Sequence, residues 1–189
     1  YEITTRLVGS EMCIRDRLRM MENNKWYILQ VQTGLELDVQ KELLRRGVEA
    51  VVPIENRQIH RAKQWISKQY IVFSGYVFIR MMYSWSQYYI LTGINGVIRL
   101  LGGGHQPKPL TQSETEWILS LNDLLKEPSV LKLTENSYEV ISGVLLDLKD
   151  NIIKLERHYR RAYVKLHIAG QEQIIKFSYV LQTLDNNED

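Results

Sequence analysis

Lys154, Arg157, Arg160, Arg161 and Lys165 fall within twelve residues, with His158 and Tyr159 among them and Glu156 as the lone acid. Cations at this density bind phosphate oxygens, and a ring among them offers a flat face to an unpaired base. By charge alone a solvated strand face reads the same, so the stretch is a candidate for nucleic-acid contact. Nothing comparable points to catalysis. His60, His105, His158 and His167 lack the HxxH or HExxH spacing that brings two imidazoles to one metal ion. There is no GxSxG elbow, and Gly102-Gly103-Gly104 precedes no Lys-Ser/Thr pair, so it reads as a flexible turn and not a phosphate loop. The expectation is a protein that is not an enzyme and holds neither metal nor cofactor.

The single cysteine, Cys13, lies in RLVGSEMCIRDR (Arg6–Arg17). That stretch lacks the apolar core of a secretory signal, and Glu11 and Asp16 spoil it as an amphipathic presequence. It matches the in-frame translation of a transposase-type sequencing adapter. Residues 1–19 are therefore expected to be a non-native scar, with a start near Met20 or Met21. Without Cys13 no disulfide or thiolate site is available, which fits a reducing cytoplasm. No apolar run is long enough for a membrane span. Of the chain's formal charge of +2, residues 1–19 carry +1, from Arg6, Arg15, Arg17 and Arg19 against Glu2, Glu11 and Asp16. The remainder is close to neutral, so the basic cluster is a local feature.

The elements that must position it follow from periodicity. WYILQVQ (26–32) reads as a strand. Thr33-Gly34-Leu35-Glu36 has capping-box spacing before a helix to Arg46, with Leu35, Val39, Leu43 and Leu44 as its apolar side. VEAVVPIENRQIH (48–60) is extended, and RAKQWISKQ (61–69) is expected to be a hairpin tip or loop. YIVFSGYVFIRMM (70–82) is an apolar run bent at Ser74-Gly75. Helices are expected after Ser84 and Thr111, each with a capping-box spacing, flanking a stretch over 96–104 that reads as a strand running into a Gly-rich turn. The order β-α-β-β-α-β-α predicts an α+β sandwich for residues 24–125. A linker is expected over 126–137. Five short strands (YEVIS, NIIKLER, RAYVKLHI, EQIIKF and VLQTL) are expected to curl into a small barrel over 138–184, before an acidic tail at 185–189.

Four stretches taken together resemble one family. They are Trp26-Tyr27 with Gly34 and Glu36, the run Phe73-Ser74-Gly75-Tyr76-Val77-Phe78-Ile79, the turn from Gly96-Val97 to Gly102, and Lys108-Pro109-Leu110. In this order they resemble the N-terminal domain of NusG-type transcription elongation factors, an α/β sandwich of ferredoxin-like type. Val140-Ile141-Ser142-Gly143 and Arg160-Arg161-Ala162 resemble the SH3-like KOW barrel of the same family. The basic HYRRAYVKL stretch looks closest to specialised paralogues such as the LoaP and UpxY antiterminators.

The resemblance implies a bacterial, monomeric, cytoplasmic factor that binds the RNA polymerase clamp and promotes processive antitermination. It makes Trp26, Phe73, Gly75, Tyr76 and Phe78 candidate polymerase contacts. It places Arg61, Lys63 and Lys68 near upstream or non-template DNA. Lys154, Arg157, His158, Tyr159, Arg160, Arg161 and Lys165 become candidate contacts to nascent RNA, such as a leader hairpin. The chain departs from the family pattern at Ser74, Val144, Asn151 and Ala169. Ala169 stands where general factors often carry a Phe that helps bind Rho and a small-subunit ribosomal protein, so neither is expected as a partner. Two rival readings stay open: a general factor coupling polymerase to Rho or the ribosome, and a KOW protein that binds RNA or the ribosome without polymerase.

Overall fold

The computed structural model describes residues 24–61, 64–102, 107–134, 137–168 and 170–182. The adapter-like stretch, Lys63, His105, Ala169 and the acidic tail lie outside them. In chain order the first elements are β1 (Lys25–Val31), α1 (Glu36–Arg45), β2 (Glu49–Val51), β3 (Ile54–Arg61), β4 (Gln64–Ile71) and β5 (Tyr76–Met81). They are followed by α2 (Trp85–Thr92), β6 (Val97–Leu100) and α3 (Gln112–Leu124). Then come β7 (Ser129–Leu133), β8 (Tyr138–Ser142), α4 (Val144–Asp147), a 3-10 turn, β9 (Ile152–Glu156), β10 (Arg161–Ile168) and β11 (Gln171–Leu181). None of the described helices is long and apolar enough to cross a membrane.

The N-terminal sheet has the order β2-β5-β1-β6 and is antiparallel throughout. Strand residues alternate between faces, and here both faces are covered, which is why β1 and β5 read as almost unbroken apolar runs. Tyr27, Leu29, Val31, Val77 and Ile79 meet Val39 and Leu43 of α1 and Leu91 of α2. Trp26, Ile28 and Phe78 share the opposite core with Ile118 and Leu121 of α3. That second core continues through Leu125 and Leu131 into Ala162, Val164, Phe177 and Tyr179 of the C-terminal sheet. The fold is thus an N-terminal α/β sandwich joined to a curled C-terminal sheet, as the α+β expectation held.

Several local expectations need correction. The stretch 126–137, expected as a linker, contains β7, whose Leu131 is fully buried. β7 pairs antiparallel with β8 and parallel with β11, completing the order β8-β7-β11-β10-β9. EQIIKF and the Val180-Leu181 start of VLQTL lie in one continuous strand, Gln171–Leu181, so the fifth strand comes from before the expected barrel rather than from its end. RAKQWISKQ is mostly strand: Gln64–Ile71 pairs residue for residue with β3 in a separate ribbon. Leu44 does not join the α1 stripe and stays 52% exposed. In β10 the expected alternation holds, with Ala162, Val164, Leu166 and Ile168 inward.

Only tertiary contact explains why Gly143 follows β8. Its φ is +86°, and a Cβ there would sit 2.5 Å from Ser129 Cα, inside any tolerable contact. Glycine lets β7 cross that closely, and Ser129 Oγ then accepts from Leu145 N–H at the start of α4.

Candidate interaction surfaces

The Phe73–Phe78 run is organised by a carboxylate on a different element. Glu36 opens α1 but does not cap it; the residue before the helix is Leu35, with no side-chain cap bond. Instead Glu36, 1% exposed, accepts from Gly34 N–H at 2.8 Å and from Gly75 N–H at 2.7 Å. Gly75 turns with φ +83°, and its carbonyl accepts from Val31 N–H at 2.8 Å. This turn swings Phe73 onto the face used by Phe78, where the rings meet edge-on with centroids 5.2 Å apart. Trp117 of α3 closes over Phe73 in a second edge-on contact at 6.4 Å.

That arrangement corrects the candidate set. Trp26, Phe73 and Phe78 are 7%, 2% and 1% exposed, and Gly75 is buried beside them. They are core because α3 covers the sheet face they share. Tyr76, half-buried, is the one of the five that reaches solvent. It opens into a groove of about 920 Å³ with Leu37, Tyr70 and Phe73 on one side and β11 residues Gln171–Lys176 on the other. Leu37 and Ile174 are exposed apolar residues on this groove that sequence reasoning missed. Their signal was being apolar at off-stripe positions. A second missed patch lies at the start of α2, where Tyr83 before the helix and Trp85, Tyr88 and Tyr89 on it form a chain of edge contacts and Trp85 and Tyr89 are largely exposed.

The cationic candidates divide. Arg61 ends β3 and Lys68 lies on β4, both exposed, and Lys68 Nζ stands 5.7 Å from the Tyr70 ring. Arg157, His158 and Tyr159 are exposed in the turn between β9 and β10, the last two ring to ring at 4.6 Å. Arg160, in the same turn, places its guanidinium 3.9 Å from the ring centroid of Trp65 on β4. Lys165 sits four residues along β10 from Arg161, about 13 Å away at strand rise, and pairs with Glu172 at 2.9 Å. That contact, chiefly a hydrogen bond, lowers the Glu172 pKa. Lys154 and Lys176 flank the ring of Tyr163, whose hydroxyl donates to Glu156 at 3.0 Å and has its pKa raised by that bond. Lys154 and Lys165 therefore do not converge with the turn.

Arg161 leaves the turn in another direction, into a polar contact between the β3–β4 ribbon and the C-terminal sheet. Glu55, 3% exposed, accepts from Arg57 Nε, from Ser178 N–H, and from Ser178 Oγ at 2.8 Å. Arg57 Nη2 donates to Lys176 O at 2.7 Å while its guanidinium lies 5.0 Å from the Tyr70 ring. Arg161 Nη1 is buried with no hydrogen-bond partner among the described residues. Burial first, and then the neighbouring Arg57 charge, lower the Arg161 pKa. Sequence spacing did not reveal this cluster, because Glu55 and Ser178 are 123 positions apart.

Comparison with known proteins adds a family context. A family model described as "Transcription termination factor nusG" matches residues 24–119. The chain is 27% identical over 177 residues to the transcription termination/antitermination protein NusG of Halalkalibacterium halodurans, spanning 84% of this chain and 97% of that one. It is 24% identical over 173 residues to the protein of the same name from Bacillus subtilis, with the same coverage. Among solved structures it is similar to Thermotoga maritima NusG, in work on domain interaction in that protein. The TM-score is 0.52 at 23% identity, over 82% of this chain and 93% of that one.

Proposed function

This chain belongs to the NusG family, and from that premise we propose that it binds RNA polymerase and promotes processive antitermination as a specialised, operon-specific factor. The carrying observation is that similarity to transcription termination/antitermination proteins runs across 84% of the chain, through both the sandwich and the curled sheet. The surfaces support a division of labour. The groove beside Tyr76 offers Leu37, Tyr70 and Ile174 around a half-buried aromatic, the composition of a protein-binding hot spot. The basic turn Arg157–Arg160 is the RNA-facing element, and Arg61 and Lys68 are the DNA-proximal cations. No catalytic step is assigned.

The relatives are named for termination as well as antitermination, which favours a general NusG factor as the second reading. One assay separates them: purified transcription on a terminator template with residues 20–189, wild type against Tyr76→Ala. Tyr76 is chosen because replacing the buried Phe73 would remove core packing. Readthrough that rises with protein and falls in the variant, with its thermal stability kept, is the expected result. Rho-dependent release stimulated by the wild-type protein would favour the general factor. Absence of both effects, with no polymerase binding, would overturn the docking reading.

A further inference from the structure

The β3–β4 ribbon and the basic turn Arg157–Arg160, expected to meet RNA, are about a hundred residues apart in the chain, yet the fold brings Trp65 of the one against Arg160 of the other. Of the seven Lys and Arg in segments 57–70 and 157–161, Arg57 and Arg161 belong to the Glu55 cluster and Lys63 lies outside the described residues, leaving Arg61, Lys68, Arg157 and Arg160. The join is the Arg160–Trp65 contact at 3.9 Å. His60 packs against the same Trp65 ring at 5.1 Å, tilted by 55°. Arg160 has φ +52° and is the one non-glycine residue with positive φ among those described. An L-residue held there is strained, and such strain persists where the surroundings impose it. Here the turn holds an arginine against a tryptophan of the other half of the molecule.

We propose that this is a single composite site for an unpaired RNA segment, which exists only while the C-terminal sheet is seated on the β3–β4 ribbon. Tyr159, 60% exposed, receives a base. The Arg160 guanidinium, held against Trp65, provides a second stacking plane, as arginine planes do for unstacked bases. Arg157, exposed in the same turn, flanks the pair as a phosphate ligand. The exposed His158 ring and the Tyr159 hydroxyl offer hydrogen-bonding groups that a ribose 2′-hydroxyl can use. Trp65 is a positioning residue that acts through Arg160. The inference deepens the RNA contact of the proposed function and rests on that reading for the source of the RNA.

The test is direct binding of the full chain to a labelled oligouridine of about twelve nucleotides, within the usual span of a single-strand site. No polymerase is present, so failure of the readthrough assay leaves this measurement unaffected. Tyr159→Ala is expected to weaken binding about tenfold, the loss of one stacked base. Trp65→Ala is expected to weaken it by a similar factor, and Trp65→Phe to recover most of the loss. Trp65 is 39% exposed on a surface ribbon, so its replacement spares the core. If Trp65→Ala binds like wild type while Tyr159→Ala is weak, the site belongs to the turn alone and the composite is overturned. Equal affinity for the deoxyuridine oligomer overturns the assignment to RNA.

Discussion

Glu36 illustrates how one residue carries more than its local pattern implies. A carboxylate 1% exposed is tolerated because two backbone N–H groups point at its oxygens, from Gly34 and Gly75. It joins the start of α1 to the turn that aims Phe73, so the resemblance at Gly34, Glu36 and Gly75 has a common physical cause. Glu36→Ala would leave the Gly75 N–H unmet in the interior, while the exposed Gly34 N–H turns to water. We expect a loss of about 1–3 kcal/mol, the cost of one stranded buried donor, read by urea denaturation. Glu36→Gln keeps one acceptor and should fall between wild type and alanine. A variant as stable as wild type would show that the carboxylate is not structural.

At the scale of elements, the capping motifs separate local from long-range causes. Thr111 and Glu114 form a complete capping box: Thr111 Oγ1 accepts from Glu114 N–H at 3.3 Å, and Glu114 Oε2 accepts from Thr111 N–H at 2.8 Å. Ser84 Oγ accepts from Gln87 N–H at 3.2 Å, which is half of the motif. Thr33-x-x-Glu36 has the same spacing, but the Gly75 turn competes for its glutamate and wins. Thr111→Ala should therefore cost about 1 kcal/mol, while Thr33→Ala should stay within about 0.5 kcal/mol of wild type. Thermal melts of the two variants decide the point; equal losses would restore the capping role to Thr33.

For the whole molecule, the contact that matters joins the β3–β4 ribbon to β11. Glu55 is the acceptor for Arg57 and Ser178, with Arg161 close by, and the apolar core runs on through Leu125 and Leu131. Removing one partner of a buried charge cluster costs about 3–5 kcal/mol, because the charge left behind has no compensation. Glu55→Ala should thus weaken the seating of the C-terminal sheet by that amount. Hydrogen exchange would show it as faster exchange confined to β3, β10 and β11, with β1 and β5 still protected. Uniform protection across the chain would mean that the two halves are held by the apolar core alone. Undocking would also take Arg160 away from Trp65, linking this contact to the composite surface.

Sequence alone determined the α+β class, the N-terminal sandwich, the inward alternation of β10, the Thr111 cap and the family. Each rests on periodicity, on short spacing, or on an ordered set of motifs, which a linear chain displays directly. Tertiary structure alone decided that Trp26, Phe73 and Phe78 are core, since an apolar strand residue reads alike whether it meets its own α3 or a partner. It also decided that 126–137 contributes β7, because SVLKL is too short to show its period without the strands on either side. The Glu55–Ser178 and Arg160–Trp65 contacts were invisible for a simpler reason. Hydrogen bonds and ring contacts act over a few ångströms of space, and folding alone sets which distant residues come that close.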